Sequence, residues 1–126
     1  MSKKFWINQF PAILAALTIF VLSSIHGDSF PKVESMFAMD KLVHSVMYAG
    51  FTFVINHAFY HQNRYSYLKQ NWIICSMLAA ILFGISDETH QFFVPHRSCD
   101  VMDLNADLLG IFFATFVFWR FPTKKI

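Results

Sequence analysis

Charged residues are scarce in this sequence. Only 14% of its 126 residues are Asp, Glu, Lys or Arg, against about 25% in a typical soluble domain. Its 2 cysteines, one in an apolar run and one in a polar loop, exclude a disulfide scaffold. The bases form no stripe with interleaved aromatics, so nucleic acid is not an expected partner. By contrast, 56% of the residues are hydrophobic, including 16 Phe, which is more than one small core can bury. The composition predicts a membrane protein.

The apolar residues fall into four runs, each near the roughly 20 residues that a helix needs to cross a bilayer. These runs cover residues 7–25, 42–60, 72–91 and 101–119. Lys3 and Lys4 before the first run also suit a signal peptide, but the remaining chain is itself apolar, which favours a retained helix. We therefore predict one all-α domain over residues 1–126, a four-transmembrane-helix bundle.

The basic residues predict the orientation of this bundle. Alternating crossings put seven of them on the side of the N-terminus and three on the other. The seven are Lys3, Lys4, Arg64, Lys69, Arg120, Lys124 and Lys125; the three are Lys32, Lys41 and Arg97. We therefore expect both termini in the cytoplasm.

All the acidic residues lie on the opposite, outer side or in the outer ends of the helices. They are Asp28, Glu34, Asp40, Asp87, Glu88, Asp100, Asp103 and Asp107. Without its acids the third run would cover only residues 72–85, about 21 Å of helix against a hydrocarbon core of about 30 Å. Some acids must therefore enter the membrane, where ionisable groups are costly and usually functional. Function is expected at the outer face.

Helical periodicity places these polar residues on one stripe of each helix. The stripes are Asp40, His44 and Tyr48 in the second run; Gly84, Asp87, Glu88 and Gln91 in the third; and Asp100, Asp103, Asp107, Gly110 and Ala114 in the fourth. Gly110 and Ala114 form a small-xxx-small pair that lets another helix approach closely. The three stripes are expected to meet at one depth.

The residue types on these stripes suggest two kinds of site. The candidate catalytic residues are Glu88, His44, Asp87, Asp103 and Asp107, with His44 as a base near neutral pH. A divalent cation such as Mg²⁺ or Ca²⁺ would suit the side-chain oxygens of this region, and His44 could join them as a ligand. These oxygens belong to Asp87, Glu88, Gln91, Asp103 and Asp107. The candidate substrate-binding residues are Arg97, Lys41, Gln91, Asp40 and Tyr48, with Arg97 and Lys41 holding a phosphate. The alternative is a buried hydrogen-bond network that only fixes helix packing. No role is expected for His57 or His61.

The ordered motifs resemble the VanZ-like family of bacterial membrane proteins. The resemblance covers residues 20–114 and rests on Ser23-Ser24, Asp40-Lys41-x-x-His44-x-x-x-Tyr48, Ser86-Asp87-Glu88-x-x-His90-Gln91, Val94-Pro95-x-Arg97 and Asp103-x-x-x-Asp107-x-x-Gly110. Two positions depart from many relatives, which carry Gly at the position of His96 and Asn at that of Asp107. The resemblance implies this fold and a cell-envelope setting, and its founding member is associated with teicoplanin resistance.

Together these features predict a multi-pass protein of the bacterial cytoplasmic membrane that acts at the outer leaflet. Its expected partners are membrane lipids, and its substrate is a phosphate-bearing envelope lipid or glycolipid. Two alternatives stay open: a non-catalytic binding or structural protein, and an ion-coupled carrier. The carrier is disfavoured by the lack of broken helices and inverted repeats.

Overall fold

The structure, a computed structural model, describes residues 3–26, 36–97 and 99–124, and all regular structure in these ranges is α-helical. The helices are α1 (Lys3–Asn8), α2 (Phe10–Ser23), α3 (Met36–His61), α4 (Ser66–Gln70), α5 (Trp72–Phe92) and α6 (Val101–Arg120). The predicted all-α class is confirmed. The parts of the prediction that concern Asp28, Lys32, Glu34 and Lys125 lie outside the described residues.

Three helices are long and apolar enough to cross a membrane: Met39–His61 within α3, then Trp72–Phe92 and Val101–Arg120. The predicted runs 42–60, 72–91 and 101–119 lie inside them. A fourth apolar helix, α2, has 14 residues and is shorter. The structure therefore contains a helical bundle of the membrane type, while the crossing by the first segment stays a prediction.

The first apolar segment is divided into α1 and α2 by Pro11. Proline has no N–H to donate to the carbonyl four residues earlier, here that of Ile7, and its ring crowds that carbonyl. Gln9 lies at the break, where its N–H still donates to Phe5 O at 2.9 Å and its carbonyl accepts from Ile13 N at 3.3 Å. The segment thus continues in nearly helical form across the break.

Helix α6 packs most closely against α3. Gly110 makes this approach possible, because a Cβ there would collide with the backbone of Ser45 and lie 2.9 Å from Ala49 N. Ala114, one turn further on, is also buried. The expected role of this small-residue pair is confirmed at Gly110.

The interior of the bundle contains polar as well as apolar side chains, and its exterior is apolar. Large apolar side chains on α5 and α6, such as Leu82, Leu109 and Phe113, are exposed. Polar side chains are buried at every level of the bundle: His44, Thr52, Asn56, Ser76, Asp107 and Thr115. This arrangement suits lipid as the solvent, because lipid accepts the apolar exterior but cannot satisfy a polar group.

Cross-helix contacts define two ends of the bundle. At one end Ser24, after α2, contacts His90 of α5, and Lys41 of α3 contacts Asp100 before α6. At the other end His57 of α3 contacts Asn8 of α1 and Thr123 after α6. Successive long helices therefore run in alternating directions, and the chain's described first and last residues share one end.

Candidate functional site

The polar stripes of three helices meet at the first of these ends. α3 contributes Lys41, His44 and Tyr48, α5 contributes Asp87, Glu88 and Gln91, and α6 contributes Asp103 and Asp107. We call this set, with Asp40 and Asp100 at its rim, the acidic cluster. The expected meeting of the three stripes is observed. On each helix the polar residues recur every three or four positions and so lie on one face, and that face is turned toward the other two helices.

Lys41 is surrounded by carboxylates. Its ammonium donates to Asp103, to Asp100 Oδ2 at 2.8 Å and more distantly to Asp40 Oδ2 at 3.4 Å. Asp100 also caps α6, since its Oδ1 accepts from Met102 N at 2.8 Å. The Lys41 ammonium, helped by the Met102 N–H, holds the pKa of Asp100 below its ordinary value. Lys41 thus joins α3 to the start of α6.

His44 lies among three buried carboxylates. Its Nδ1 is 3.0 Å from Asp107 Oδ1 and 3.9 Å from Glu88 Oε1, and its Nε2 is 4.0 Å from Asp103 Oδ2. All four side chains are at most 6% exposed. The imidazole can therefore exchange a proton with Asp107 directly, and Glu88 is the next carboxylate in reach.

Tyr48 and Gln91 both reach Asp87. The Tyr48 hydroxyl and the Gln91 amide donate to Asp87 Oδ2, each over a long 3.4 Å. Gly84 leaves room for the tyrosine ring, since a Cβ there would lie 3.3 Å from Tyr48 Cε1. These two residues hold Asp87 in place, so the structure brings Gln91 and Tyr48 to a carboxylate.

Several carboxylate oxygens in the cluster are buried without a hydrogen-bond partner. Glu88 Oε2 accepts from Asp100 N at 3.2 Å, but Glu88 Oε1 has no partner. Asp107 Oδ2 and Asp87 Oδ1 are also buried without a hydrogen-bond partner. A buried carboxylate oxygen without a partner is costly, and that cost is offset by a proton, a water molecule or a bound ion.

Arg97 lies in the loop between α5 and α6, where its Nη2 donates to Leu22 O at 3.2 Å, near the end of α2. The preceding His96 has φ 60°, in the left-handed region. This conformation costs a residue with a side chain about 1 kcal/mol and favours glycine, which accounts for the glycine expected there in many relatives. His90 joins the same region, since it contacts Ser24 Oγ at 3.0 Å and stacks on Phe20.

Sequence reasoning missed a second polar cluster at the opposite end. His57 Nδ1 lies 2.7 Å from Thr123 Oγ1, and His57 Nε2 lies 3.2 Å from Asn8 Oδ1. His61 Nε2 lies 3.0 Å from Thr123 O and 3.1 Å from its Oγ1. We call Asn8, His57, His61 and Thr123 the histidine cluster. The i, i+4 spacing of the two histidines was the available signal, but their partners lie at the two ends of the chain.

Two sets of residues in the acidic cluster have a geometry that can hold a metal ion. They are Asp40, His44 and Asp103, and His44, Glu88 and Asp107, each with ligand atoms within 4.8 Å of one another. His44 belongs to both sets, and the second set is buried throughout. The site can therefore act in proton transfer, in cation binding, or in both.

An apolar exterior, three span-length helices and a buried polar site at one end define a helical membrane protein. The sequence model of the VanZ/LLP1 family matches residues 4–122, and the chain belongs to this family. Searches of curated proteins and of solved structures found no match. The family match therefore supports the class of protein, a helical membrane protein.

Proposed function

We propose that this chain is a multi-pass protein of the bacterial cytoplasmic membrane, with both termini in the cytoplasm. Its acidic cluster would bind or modify a phosphate-bearing envelope lipid or glycolipid at the outer leaflet. The seven-to-three distribution of basic residues supports the orientation. Membership of the VanZ/LLP1 family supports the envelope setting.

The observation that carries the proposal is His44, buried between Asp107 and Glu88. Polar networks that only pack membrane helices usually use neutral side chains such as Ser, Thr and Asn. Here the network concentrates carboxylates around one imidazole, in a solvent where each charge is costly. Such a concentration favours a chemical role over packing.

In the proposed site, His44 and Asp107 move a proton. When no metal is bound and Nδ1–H donates to Asp107, the Nε2 atom of neutral His44 is available to accept a proton. Glu88 would serve as the second acid or base, while Arg97 meets the phosphate with its planar guanidinium. Lys41 has a neutralising role in this account, since its ammonium contacts three carboxylates.

A non-catalytic role has one observation in its favour. The same Lys41 ion pairs connect α3 to the beginning of α6, which is what a structural network does. An ion-coupled carrier has less support, because α3, α5 and α6 run without a break and such carriers typically use discontinuous helices.

The orientation is tested with the two ends of the bundle. Cys99 is exposed at the acidic end, and replacement of Cys75 by Ala leaves it as the single cysteine. Arg64→Cys in a protein lacking both native cysteines marks the opposite end. In intact cells an impermeant thiol reagent should label Cys99 and spare the cysteine at position 64. The reverse pattern would refute the outer-face site.

Lipid recognition is tested with Arg97 and a matched control. Binding to vesicles that contain phosphatidic acid should exceed binding to pure phosphatidylcholine vesicles. Arg97→Ala and Arg97→Lys should both lose the difference while remaining folded, because a point charge does not replace a bidentate fork. Arg64→Ala, at the other end, should retain it. Undiminished binding by folded Arg97→Ala would exclude the recognition role.

The finer physiological proposal is a contribution to glycopeptide susceptibility. If the chain acts on an envelope lipid in the manner implied by the family's founding member, its expression should lower susceptibility to teicoplanin. The variant Glu88→Gln, produced at an equal level, should not. An equal effect of both proteins would remove Glu88 from the mechanism.

A further inference from the structure

We propose that His44, Glu88 and Asp107 bind one divalent transition-metal cation, such as Mn²⁺ or Zn²⁺, inside the outer end of the bundle. This inference rests on the proposed function in one respect: a cation would let an acidic site accept a phosphate. The binding site itself rests on charge, geometry and unsatisfied oxygens, independently of that function.

The charge balance of the cluster calls for a cation. Four carboxylates, those of Asp87, Glu88, Asp103 and Asp107, are buried. In the described part of the chain, the one ammonium that pairs with any of them is that of Lys41, whose side chain is 17% exposed and contacts Asp103. Three ionised carboxylates would thus remain without a neutralising ammonium in a medium of low dielectric constant. Isolated buried charges are far too costly to leave uncompensated, so protons or a bound cation must offset them.

The geometry favours a cation at one place. Metal–ligand bonds of about 2.1 Å put neighbouring ligand atoms roughly 3 to 4 Å apart. His44 Nδ1 lies 3.0 Å from Asp107 Oδ1 and 3.9 Å from Glu88 Oε1. The three atoms can therefore share one ion with small side-chain rotations.

Two of the three unsatisfied carboxylate oxygens of the acidic cluster belong to side chains of this set, Glu88 and Asp107. Glu88 Oε1, which lies 3.9 Å from His44 Nδ1, has no hydrogen-bond partner, and neither has Asp107 Oδ2. Glu88 is 4% and Asp107 1% exposed. Buried oxygens without partners point to a ligand that the side chains themselves do not supply.

The imidazole decides the class of cation. Carboxylates suit Mg²⁺, Ca²⁺ or Mn²⁺, whereas imidazole nitrogen suits Zn²⁺, so a site of two carboxylates and one imidazole favours Mn²⁺ or Zn²⁺ over Mg²⁺ or Ca²⁺. Coordination through Nδ1 would leave the proton of His44 on Nε2, which lies 4.0 Å from Asp103 Oδ2. Metal-bound histidines commonly donate their other N–H to a carboxylate, and Asp103 would have to move closer than 4.0 Å to accept this hydrogen bond. Asp103 would then orient the ligand rather than bind the ion.

The test is a titration of the purified, chelator-stripped protein with Mn²⁺, in which the electron paramagnetic resonance signal measures the concentration of free Mn²⁺. The wild type should bind one ion, and Zn²⁺ should displace it. Glu88→Gln and Asp107→Asn, which keep side-chain shape, should weaken binding by roughly tenfold or more. Asp87→Asn is the matched control, because Asp87 is buried in the same cluster but belongs to neither metal-binding set.

Three results would overturn the site. One is wild-type affinity for both Mn²⁺ and Zn²⁺ weaker than about 1 mM. Another is equal weakening by Asp87→Asn, because the attraction would then be diffuse. The third result needs no variant, so it applies even if a substitution prevents folding. Pulsed electron paramagnetic resonance of Mn²⁺ bound to the wild type should detect coupling to an imidazole ¹⁴N nucleus. The absence of this coupling would exclude His44 as a ligand.

The metal site and the lipid function fail in different experiments. Mn²⁺ binding without any preference for phosphatidic acid vesicles would sustain the site and contradict the proposed lipid function. A lipid preference that survives chelation, in a protein that binds no metal, would sustain the lipid function and overturn the site. A lipid preference that appears only with Mn²⁺ or Zn²⁺ present would support both.

Discussion

The acidic cluster and the histidine cluster are both polar groups of side chains at the ends of one bundle, but they differ in how well they are satisfied. In the histidine cluster, Nε2–H of His57 can donate to Asn8, whose Oδ1 only accepts, and Nδ1 can accept from the Thr123 hydroxyl. That hydroxyl can in turn accept from His61 Nε2. Neutral residues thus complete a network that joins both ends of the chain to α3.

The acidic cluster shows the opposite state. It contains more carboxylates than described cations, and three of its buried oxygens have no partner. A neutral network whose hydrogen bonds are all made stabilises the fold. A charged network with unpaired groups destabilises it, and such networks in membrane proteins commonly bind a ligand or take part in a reaction. The comparison predicts that substitutions in the histidine cluster lower stability, whereas substitutions in the acidic cluster impair function.

The largest effect is expected at the close contact between α3 and α6. Gly110→Leu introduces a side chain where even a Cβ collides with the backbone of α3. The helices must separate, at a cost of about 3 kcal/mol or more. Thermal unfolding in detergent should show a large loss of stability, and Mn²⁺ binding should fall with it. A folded Gly110→Leu protein of parental stability would contradict the close packing of α3 and α6.

The histidine cluster is tested by Thr123→Val, which removes a hydroxyl and keeps the shape. Two histidine nitrogens lose a partner, so the free energy of unfolding should fall by about 1–2 kcal/mol. Mn²⁺ affinity should be unchanged. Thr18→Val is the control, because the Thr18 hydroxyl bonds only within its own exposed helix. Loss of metal binding in Thr123→Val would show that the two ends are coupled.

The acidic cluster is tested by Glu88→Gln, with the opposite expectation. This change removes one buried negative charge while it keeps the side-chain size, so stability in chelator should be unchanged or raised, by up to about 1 kcal/mol. Complementation of an envelope phenotype should be lost. A stable variant with full complementation would end the catalytic interpretation and leave a structural role.

The smallest effect is expected at the rim, from Asp100→Asn. Asn keeps the helix cap but loses the charge that pairs with Lys41. Because Lys41 lowers the pKa of Asp100 in the folded state, this pair stabilises the protein fully above the ordinary value of 3.8, and the stabilisation is lost as the pH falls through the lowered value. The variant should therefore be slightly less stable than the parent at pH 7, and the difference in their free energies of unfolding should shrink as the pH falls below 3.8. A constant difference would contradict the ion pair.

Much of the acidic cluster was predictable because helical periodicity and membrane length act within a single helix. Asp87, Glu88 and Gln91 share one face of α5 at a spacing of three and four residues, wherever α5 lies. The hydropathy of the chain likewise predicted the span-length helices α3, α5 and α6. Pro11 could have signalled the break between α1 and α2, since its effect on a helix is local.

Composition and periodicity of the sequence by themselves determined a helical membrane protein with acids at one end of its bundle. Only the tertiary structure decided which side chains meet: Lys41 with Asp100 and Asp103, Glu88 Oε1 with His44, and Thr123 with two histidines. The reason is that periodicity specifies a face, whereas partners depend on the rotation and depth of neighbouring helices. Those are set by packing, as where Gly110 admits the backbone of α3, and by contacts between residues more than sixty positions apart.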